Sequence, residues 1–385
     1  MNPIYMDYAA TTPTDKKVIE AMLPYLGEIC GNPSSLHAFG QEAKAAVEGA
    51  RKRIASYLGA HPSEVVFTSG GTESDNFAIK GVAYANRHKG DHIITSAVEH
   101  HAVLETCRFL EQEGFRVTTL PVDGDGLVDP AALADAITDK TILISIMHAN
   151  NEIGTIQPIA EIGAMARQRG IVFHTDAVQT FGHLPFTADG LQCDLISASA
   201  HKLYGPKGVG LLYIRKGTRI APFIHGGEQE NGRRASTLNV PGIVGFGKAV
   251  ELAGISLAEE AARETAMRDR FIRGVFDRLD GIRLNGHPTR RLPNNVNMSF
   301  TSLEGEGLIL SLDMMGIAAS TGSACSSSSV EKSHVLTAIG LPKEFSHGSL
   351  RFSIGRYTKE DDIDRVLEIL PQVVGRLRSL SPHLS

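Results

Sequence analysis

The sequence predicts an α/β protein, a mostly parallel sheet covered by helices, followed by a smaller α+β unit. Two observations carry this. Through the first two thirds of the 385 residues, short Val/Ile-rich runs alternate with longer helical patterns. The runs are continuous rather than alternately apolar and polar, as expected of strands buried on both faces under covering helices. Beyond about Ile255 the texture changes to charged helices and scattered strands, an α+β pattern. A chain of this length also exceeds one simple core, so two domains are expected.

The elements follow in order. "EVVFTS" (Glu64–Ser69) reads as a strand and "TESDNFAIKGVAYANR" (Thr72–Arg87) as the helix after it. "DHIITS" from Asp91, "FRVTTLPV" from Phe115, "TILISIMHA" from Thr141 and "GIVFHTD" from Gly170 continue the strands, with "AEIGAMARQRG" supplying a helix between the last two. "CDLISASAHKLYGPKGVGLLYIRKG" is two apolar runs joined by a Gly/Pro loop, an antiparallel excursion. "SLAEEAARETAMRDRFIRGVFDRLDG" is a long amphipathic helix with no strand beside it, suited to connect two domains. After it come the strands "NNVNMSF" and "SLRFSIG". A final helix is opened by "TKED" at Thr358, a capping-box pattern. The expected division is 12–255 for the larger domain, and 1–11 with 256–385 for the smaller.

Composition excludes several classes. With 42% hydrophobic and 21% charged residues the chain is an ordinary globular sequence. A net charge of −5 and a pI near 6.3 give no electrostatic reason to expect nucleic acid or an anionic membrane as a partner. No apolar run approaches the ~18 residues of a membrane span, and the start "MNPIYMDYAATTP" lacks the pattern of a signal peptide. Cys30, Cys107, Cys193 and Cys325 are scattered, with no C-x-x-C and no metal-ligand spacing. Such thiols fit a reducing cytoplasm, which is the expected location.

Candidate chemistry collects where strands end, because ligands of a doubly wound sheet bind at the carboxyl ends of its strands. In "TSGGTES" two glycines turn the chain sharply into a helix start, whose N–H groups and the Thr72 hydroxyl suit a phosphate. An ordinary strand-to-helix turn reads the same way. "VEHHAV" offers His100 for stacking or acid/base work, or simply a surface histidine pair. "HANNEIG" and "HTDAVQT" each follow a buried run. The acid Asp176 ends one strand, with Gln179 three residues on, and a buried carboxylate calls for a cation. In "SASAHKLYGPKGVG", Lys202 stands near Ser197, Ser199 and His201. It is either a surface charge or a partly desolvated amine able to form Schiff bases. "GIVGFGK" mimics a nucleotide loop but has Ala249 where Ser or Thr is needed and no strand before it. "GPKGVG" has its glycines at the wrong offsets for a dinucleotide fingerprint, so both read as structural turns. "STGSACSSSS" is either a flexible linker or a loop that delivers the Cys325 thiol.

Together a phosphate cradle, a stacking histidine, an Asp for a ring nitrogen and a Schiff-base lysine are the parts that hold pyridoxal phosphate. Their order resembles the fold-type I pyridoxal-phosphate enzymes of the class V aminotransferase group. Within that group the chain is similar to cysteine desulfurases of the NifS/IscS type. "DYAATT", "GNPSSLH", "FTSGGTESDN", "EHHAV", "NNEIGTIQP", "HTDAVQ", "SAHKLYGPKGVG", "NVPGIVG", "STGSACSS" and "LRFSIGRYT" carry the resemblance along essentially the whole chain.

The resemblance implies a seven-stranded, mostly parallel sheet in the larger domain and a set of roles. Lys202 would carry the cofactor as a Schiff base and shuttle the Cα proton, Asp176 would pair with the ring nitrogen, and His100 would stack and act as acid/base. Gln179 and Asn151 would address the phenolic oxygen. Gly71, Thr72, Ser199 and His201 would hold the phosphate, with Thr237 of a second subunit. Asn151 and Arg351 would bind the substrate, the arginine clamping its carboxylate. Cys325 would take sulfur from L-cysteine as a persulfide, leaving alanine, and pass it to an acceptor such as an iron–sulfur scaffold. A homodimer is implied. The chain carries Glu228 and Asn231 where Gly and Arg are usual, and Lys332 where Pro is common. It stops at "LSPHLS", short of the longer extension of the housekeeping type, which leans the expectation towards a NifS-like subtype. The competing readings are a selenocysteine lyase, another pyridoxal-phosphate aminotransferase and a catalytically silent scaffold-binding partner.

Overall fold

The computed structural model describes residues 3–322, 332–345 and 347–380. The chain opens with a short strand β1 (Ile4–Tyr5) and helices α1 (Lys16–Met22) and α2 (Ala38–Leu58). Strand and helix then alternate: β2 (Val65–Thr68), α3 (Gly71–Asn86), β3 (His92–Ser96), α4 (His101–Gln112), β4 (Arg116–Leu120), α5 (Pro130–Ala136), β5 (Thr141–Ser145), α6 (Ile159–Gln168) and β6 (Val172–Asp176). Strands β7 (Leu195–Ser199) and β8 (Gly210–Ile214) complete a seven-stranded sheet of order β2-β8-β7-β6-β5-β3-β4. Only β8 runs against its neighbours, as the Gly/Pro loop predicts. Every residue of β2, β3, β5, β7 and β8 is buried, which explains their continuous apolar runs; the edge strand β4 is half-exposed.

The parallel arrangement places the carboxyl ends of β2, β3, β5, β6 and β7 on one rim. That rim receives the turns containing Gly71, His100, Asn151, Asp176 and Lys202. Gly71 is required there, since a Cβ on it would lie 2.7 Å from Cγ2 of Val178 in the turn after β6.

Helix α7 (Val240–Phe276) is longer than the sequence suggests. It includes "GIVGFGK", which is helical rather than the expected turn. Its glycines serve close packing: a Cβ on Gly247 would sit 2.6 Å from that of Ala50 on α2. Ile255, the expected division point, lies inside this continuous helix. The first half of α7 packs Ile243, Phe246 and Val250 into the core beneath the large sheet, and the second half packs Met267, Phe271 and Val275 into a separate core. By length and composition α7 would cross a membrane, with an 18-residue stretch of mean hydropathy 1.3, but half of that stretch is buried among its neighbours.

The second core surrounds an antiparallel sheet formed by β9 (Ile282–Leu284), β10 (Asn295–Phe300) and, after α8 (Gly305–Met314), β11 (Ile317–Ala318) and α9 (His334–Ala338), by β12 (Ser349–Ser353). Helix α10 (Glu360–Leu380) covers it. Its capping differs from the expected box: Asp362 accepts from the Lys359 N–H, while the Thr358 hydroxyl accepts from Gly355. The N-terminal segment joins this unit, β1 pairing in parallel with β11 and Asp7 bridging to Ser353.

Candidate active site

A cavity of about 310 Å³ opens on the rim, between the large sheet and β12. Its wall contains Gly71, Thr72, His100, Asn151, Asp176, Gln179, Ser199, His201, Lys202 and Arg351, ten of the twelve residues singled out in the sequence. Thr237 is exposed and away from it, and Cys325 lies outside the described residues. A cleft of about 480 Å³ between the 121–132 segment and Arg290 is larger, but its wall has no lysine, histidine or cysteine.

Lys202 ends a short turn after β7. Its Nζ donates to the carbonyls of Ala9 and Ala10 at 2.5 and 2.8 Å, and its own carbonyl accepts from His183 at 2.8 Å. Two residues on, Tyr204 adopts a left-handed φ of 63° and donates its backbone N–H to the Thr12 hydroxyl at 2.8 Å. The lysine is thus fixed from both sides by the N-terminal segment.

Asp176 ends β6 and accepts from the Val178 N–H at 2.8 Å. Burial pushes its carboxyl up to about 6, against the pull of that N–H and of Lys202. Behind it, Asp75 on α3 is raised well above the carboxylate range by burial and by Asp176. Burial raises Glu99 to about 8, although it accepts from Ser96 Oγ at 2.5 Å and from the Met147 N–H at 3.0 Å. His174 offers these acids no charge. It lies 3.6 Å from Asp75, but burial lowers it to about 3 and its ring bridges the Ser145 and Ser197 hydroxyls at 2.8 and 3.0 Å. Two buried acids, Asp75 and Asp176, therefore face the cavity with Glu99 nearby, and Arg351 on the same wall is already paired with Asp7. Such a donor set calls for a further positive charge.

His100 caps α4, its Nδ1 accepting from the Ala102 N–H at 3.1 Å. Burial first, then Lys202, His101 and His334, lower it to about 4. The ring is neutral near pH 7, and the Nδ1 acceptor role places its proton on Nε2. On the same wall the first turn of α3 contributes Gly71 and Thr72, together with the buried Ser199 and the half-buried His201, the last of which contacts Thr11 Oγ1 at 3.1 Å. Burial, Lys202 and Lys207 lower His201 to about 4 as well. Gln179 donates to the Ala9 carbonyl at 3.0 Å.

Arg351 on β12 closes the site. Its Nη2 pairs with Asp7 Oδ1 at 2.8 Å, and its Nη1 donates to the carbonyls of Asn151 at 2.9 Å and Gly322 at 3.5 Å. Its buried Nε has no partner among the described residues. An incoming carboxylate would satisfy it.

Sequence reasoning assigned no role to Asp7, Ala9, Ala10 or Asp75. The first three lie in the quoted "DYAATT", and their contacts span most of the chain. Asp75 had one usable signal, an acid on the buried face of an amphipathic helix.

Comparisons with known proteins identify the family. The aminotransferase class-V family model matches residues 4–366. Cysteine desulfurase IscS of Dictyoglomus turgidum is 58% identical over 380 residues, covering 99% of this chain and 96% of that protein. Cysteine desulfurase IscS of Methanosarcina thermophila is 59% identical over 379 residues, covering 98% and 94%. Among solved structures, a NifS-like protein superposes with a TM-score of 0.92 at 40% identity, over 97% of this chain and 100% of that one. SspA in complex with cysteine superposes with a TM-score of 0.82 at 40% identity, over 92% and 100%.

Proposed function

The chain belongs to the class-V aminotransferase family and, within it, to the cysteine desulfurases of the NifS/IscS type, and from that premise we propose how its own residues take sulfur from cysteine. One observation carries the assignment: Lys202, Asp176, His100 and Arg351, contributed by distant segments, share the wall of a single cavity.

The family depends on pyridoxal phosphate, and the residues present fit it. Asp176 supplies the negative charge that a protonated ring nitrogen needs, with Asp75 behind it. The start of α3, with Ser199 and His201, supplies phosphate donors, and Gln179 and Asn151 stand by the phenolic oxygen. When bound, the cofactor supplies an electron sink that makes the Cα–H of cysteine acidic.

Arg351 binds the carboxylate of L-cysteine through its unpartnered Nε, while Asp7 holds the other edge of the guanidinium. Lys202 Nζ, confined by two carbonyls, takes the Cα proton and later returns one. His100, on the cavity wall and neutral near pH 7, is the acid/base group: it becomes imidazolium while it holds a substrate proton and neutral again when it returns it. The Cys325 thiolate attacks the substrate sulfur. An S–S bond forms as the C–S bond breaks, and the electron pair stays with the carbon that becomes the methyl group of alanine on protonation. The products are L-alanine and a Cys325 persulfide, destined for an acceptor such as an iron–sulfur scaffold protein. Thr237, exposed here, is assigned to the phosphate end of a second subunit's cavity, which makes the working unit a homodimer. Residues 12–255 form the cofactor-binding part, and 1–11 with 256–385 the part bearing Arg351 and Cys325.

Incubation with L-cysteine and a thiol reductant, measuring sulfide and alanine together, tests this. Equal amounts, both abolished in Cys325→Ser, are expected. Pyruvate as product, or activity that survives the substitution, would overturn it.

A further inference from the structure

We propose that Glu152 is a positioning residue for sulfur transfer, fastening both ends of the segment that carries Cys325 beside the arginine that holds the substrate carboxylate. This rests on the reading of Cys325 and Arg351 given above.

Glu152 lies in the turn after β5 and is buried, and its backbone is fixed by three side chains. Its N–H donates to Asn150 Oδ1 at 2.9 Å, and its carbonyl accepts from the amides of Asn295 and Asn297 on β10 at 3.2 and 3.1 Å. So anchored, its side chain meets the Cys325 segment at both ends. On the entry side, a Cβ on Gly322 would fall 3.4 Å from Cβ and Cγ of Glu152, van der Waals contact, so the backbone there passes within one side-chain atom of the glutamate stem. Gly322 has φ of 92°, a conformation that keeps other residues out. On the exit side, Ser333 donates its hydroxyl to Glu152 Oε2 at 2.6 Å while capping α9 through the Leu336 N–H at 3.1 Å.

Both ends are also tied to the substrate site. Ser320 and Arg351 exchange backbone hydrogen bonds at 3.1 and 2.6 Å, and the Arg351 guanidinium reaches the carbonyl of Asn151, the residue before Glu152. Beyond Ser333, His334 donates to the Glu99 carbonyl at 2.9 Å and packs its ring 4.7 Å from that of His101. Only ten residues, 323–332, separate Gly322 from Ser333. Fixing two ends of so short a segment restricts where its thiol can go, and the rate of attack depends on that restriction.

The carboxyl itself is costly. It is desolvated, burial raises its pKa, and the Ser333 hydroxyl is its one hydrogen-bond donor among the described residues. An apolar residue would pack there at less cost, so the Ser333 contact is what the carboxyl contributes.

The test separates substrate binding from sulfur transfer in the holoenzyme. Mixing with L-cysteine changes the cofactor absorption, a step that needs Arg351 and Lys202; Cys325→Ser serves as the control that it does not need the thiol. Persulfide on Cys325 after a single turnover, quantified by mass, reports transfer. Glu152→Ala is expected to slow persulfide formation about 10²-fold while the absorption change stays within about threefold of wild type. Glu152→Gln, whose amide oxygen still accepts from Ser333, should recover most of the rate. Ser333→Ala should slow transfer as well, and the double variant should be no slower than Glu152→Ala alone. Persulfide formation unchanged in Glu152→Ala, both steps falling together in Glu152→Gln, or additive losses in the double variant would each overturn the inference. A wild-type enzyme that forms no persulfide would overturn the reading of Cys325 itself, whatever the variants do.

Discussion

Two buried arginines occupy opposite regions of the molecule and do different work. Arg51, on α2 within the large core, has every part of its guanidinium engaged. Nε donates to Glu48 at 3.1 Å, Nη1 to the Val65 carbonyl and Glu230 at 2.6 and 2.9 Å, and Nη2 to Glu230 at 2.7 Å. Its face also covers the Phe67 ring. Glu230 accepts in addition from the Phe67 N–H, pinning a loop whose residues Glu230 and Asn231 both have positive φ. Arg351 is as deeply buried, pairs with Asp7, stands on a cavity wall, and keeps Nε without a partner among the described residues. Burial and pairing are common to both. An unfilled donor on a cavity wall is what marks a binding group, because a completed guanidinium has nothing left to offer a ligand; Arg291, buried with Nε and Nη1 unpartnered among the described residues but off the cavity wall, meets only half of that condition.

The largest effect that would break this contrast is on catalysis. Arg351→Ala should lower kcat/KM for L-cysteine about 10³-fold, most of it in KM, with the cofactor spectrum unchanged. A small loss would mean that another group holds the carboxylate. The counterpart is a stability effect. Arg51→Met leaves Glu230 buried without its cation and should cost about 3–5 kcal/mol of unfolding free energy by urea titration, while kcat/KM of the folded fraction stays near wild type. Adding Glu230→Gln should recover much of it. An unchanged urea midpoint for Arg51→Met would mean that the pair offsets nothing.

Such contrasts also show how far the sequence can be read. The buried strands were legible because a strand covered on both faces must be apolar at every position, and the site residues of β2, β6 and β7 were legible because polar groups ending such runs need a reason. Arg351 stood out only through family resemblance. Nothing local separates it from Arg51, since the difference lies in partners that come from Asp7, Asn151 and Gly322 in one case and from Glu230 in the other. Helix α7 hid its first half because Gly242, Gly245 and Gly247 look like turn residues. Gly245 and Gly247 are small so that α1 and α2 can approach, and Gly242 so that the Asn239 cap can fold over it, which only the packed structure reveals. Asp75 offered only the signal of an acid on a buried helix face, because its role depends on Asp176, which another element supplies.

The smallest effect tests the comparison on the acids. Glu99 borders the catalytic rim, whereas Glu264 sits on the second half of α7, and burial raises each to about 8. Their sign is fixed by proton counts. The folded form keeps a proton that an unfolded glutamate releases near 4.5, so stability falls as pH rises from there through 8. Asp176, raised to about 6, adds to the lower part of that fall. His100, His148 and His201, lowered to about 4, and His174, lowered to about 3, act oppositely. The unfolded rings bind protons through about pH 6.5, so their contribution rises with pH and is complete about one unit above that. Between about pH 7.5 and 8 the histidines are nearly silent and the two glutamates dominate, each by up to about 1 kcal/mol per pH unit. Glu264→Gln should therefore flatten the decline in urea midpoint over that window without altering kcat. An undiminished decline would mean that Glu264 ionises in the fold, and that the unpartnered Oε1 it shows there is hydrated.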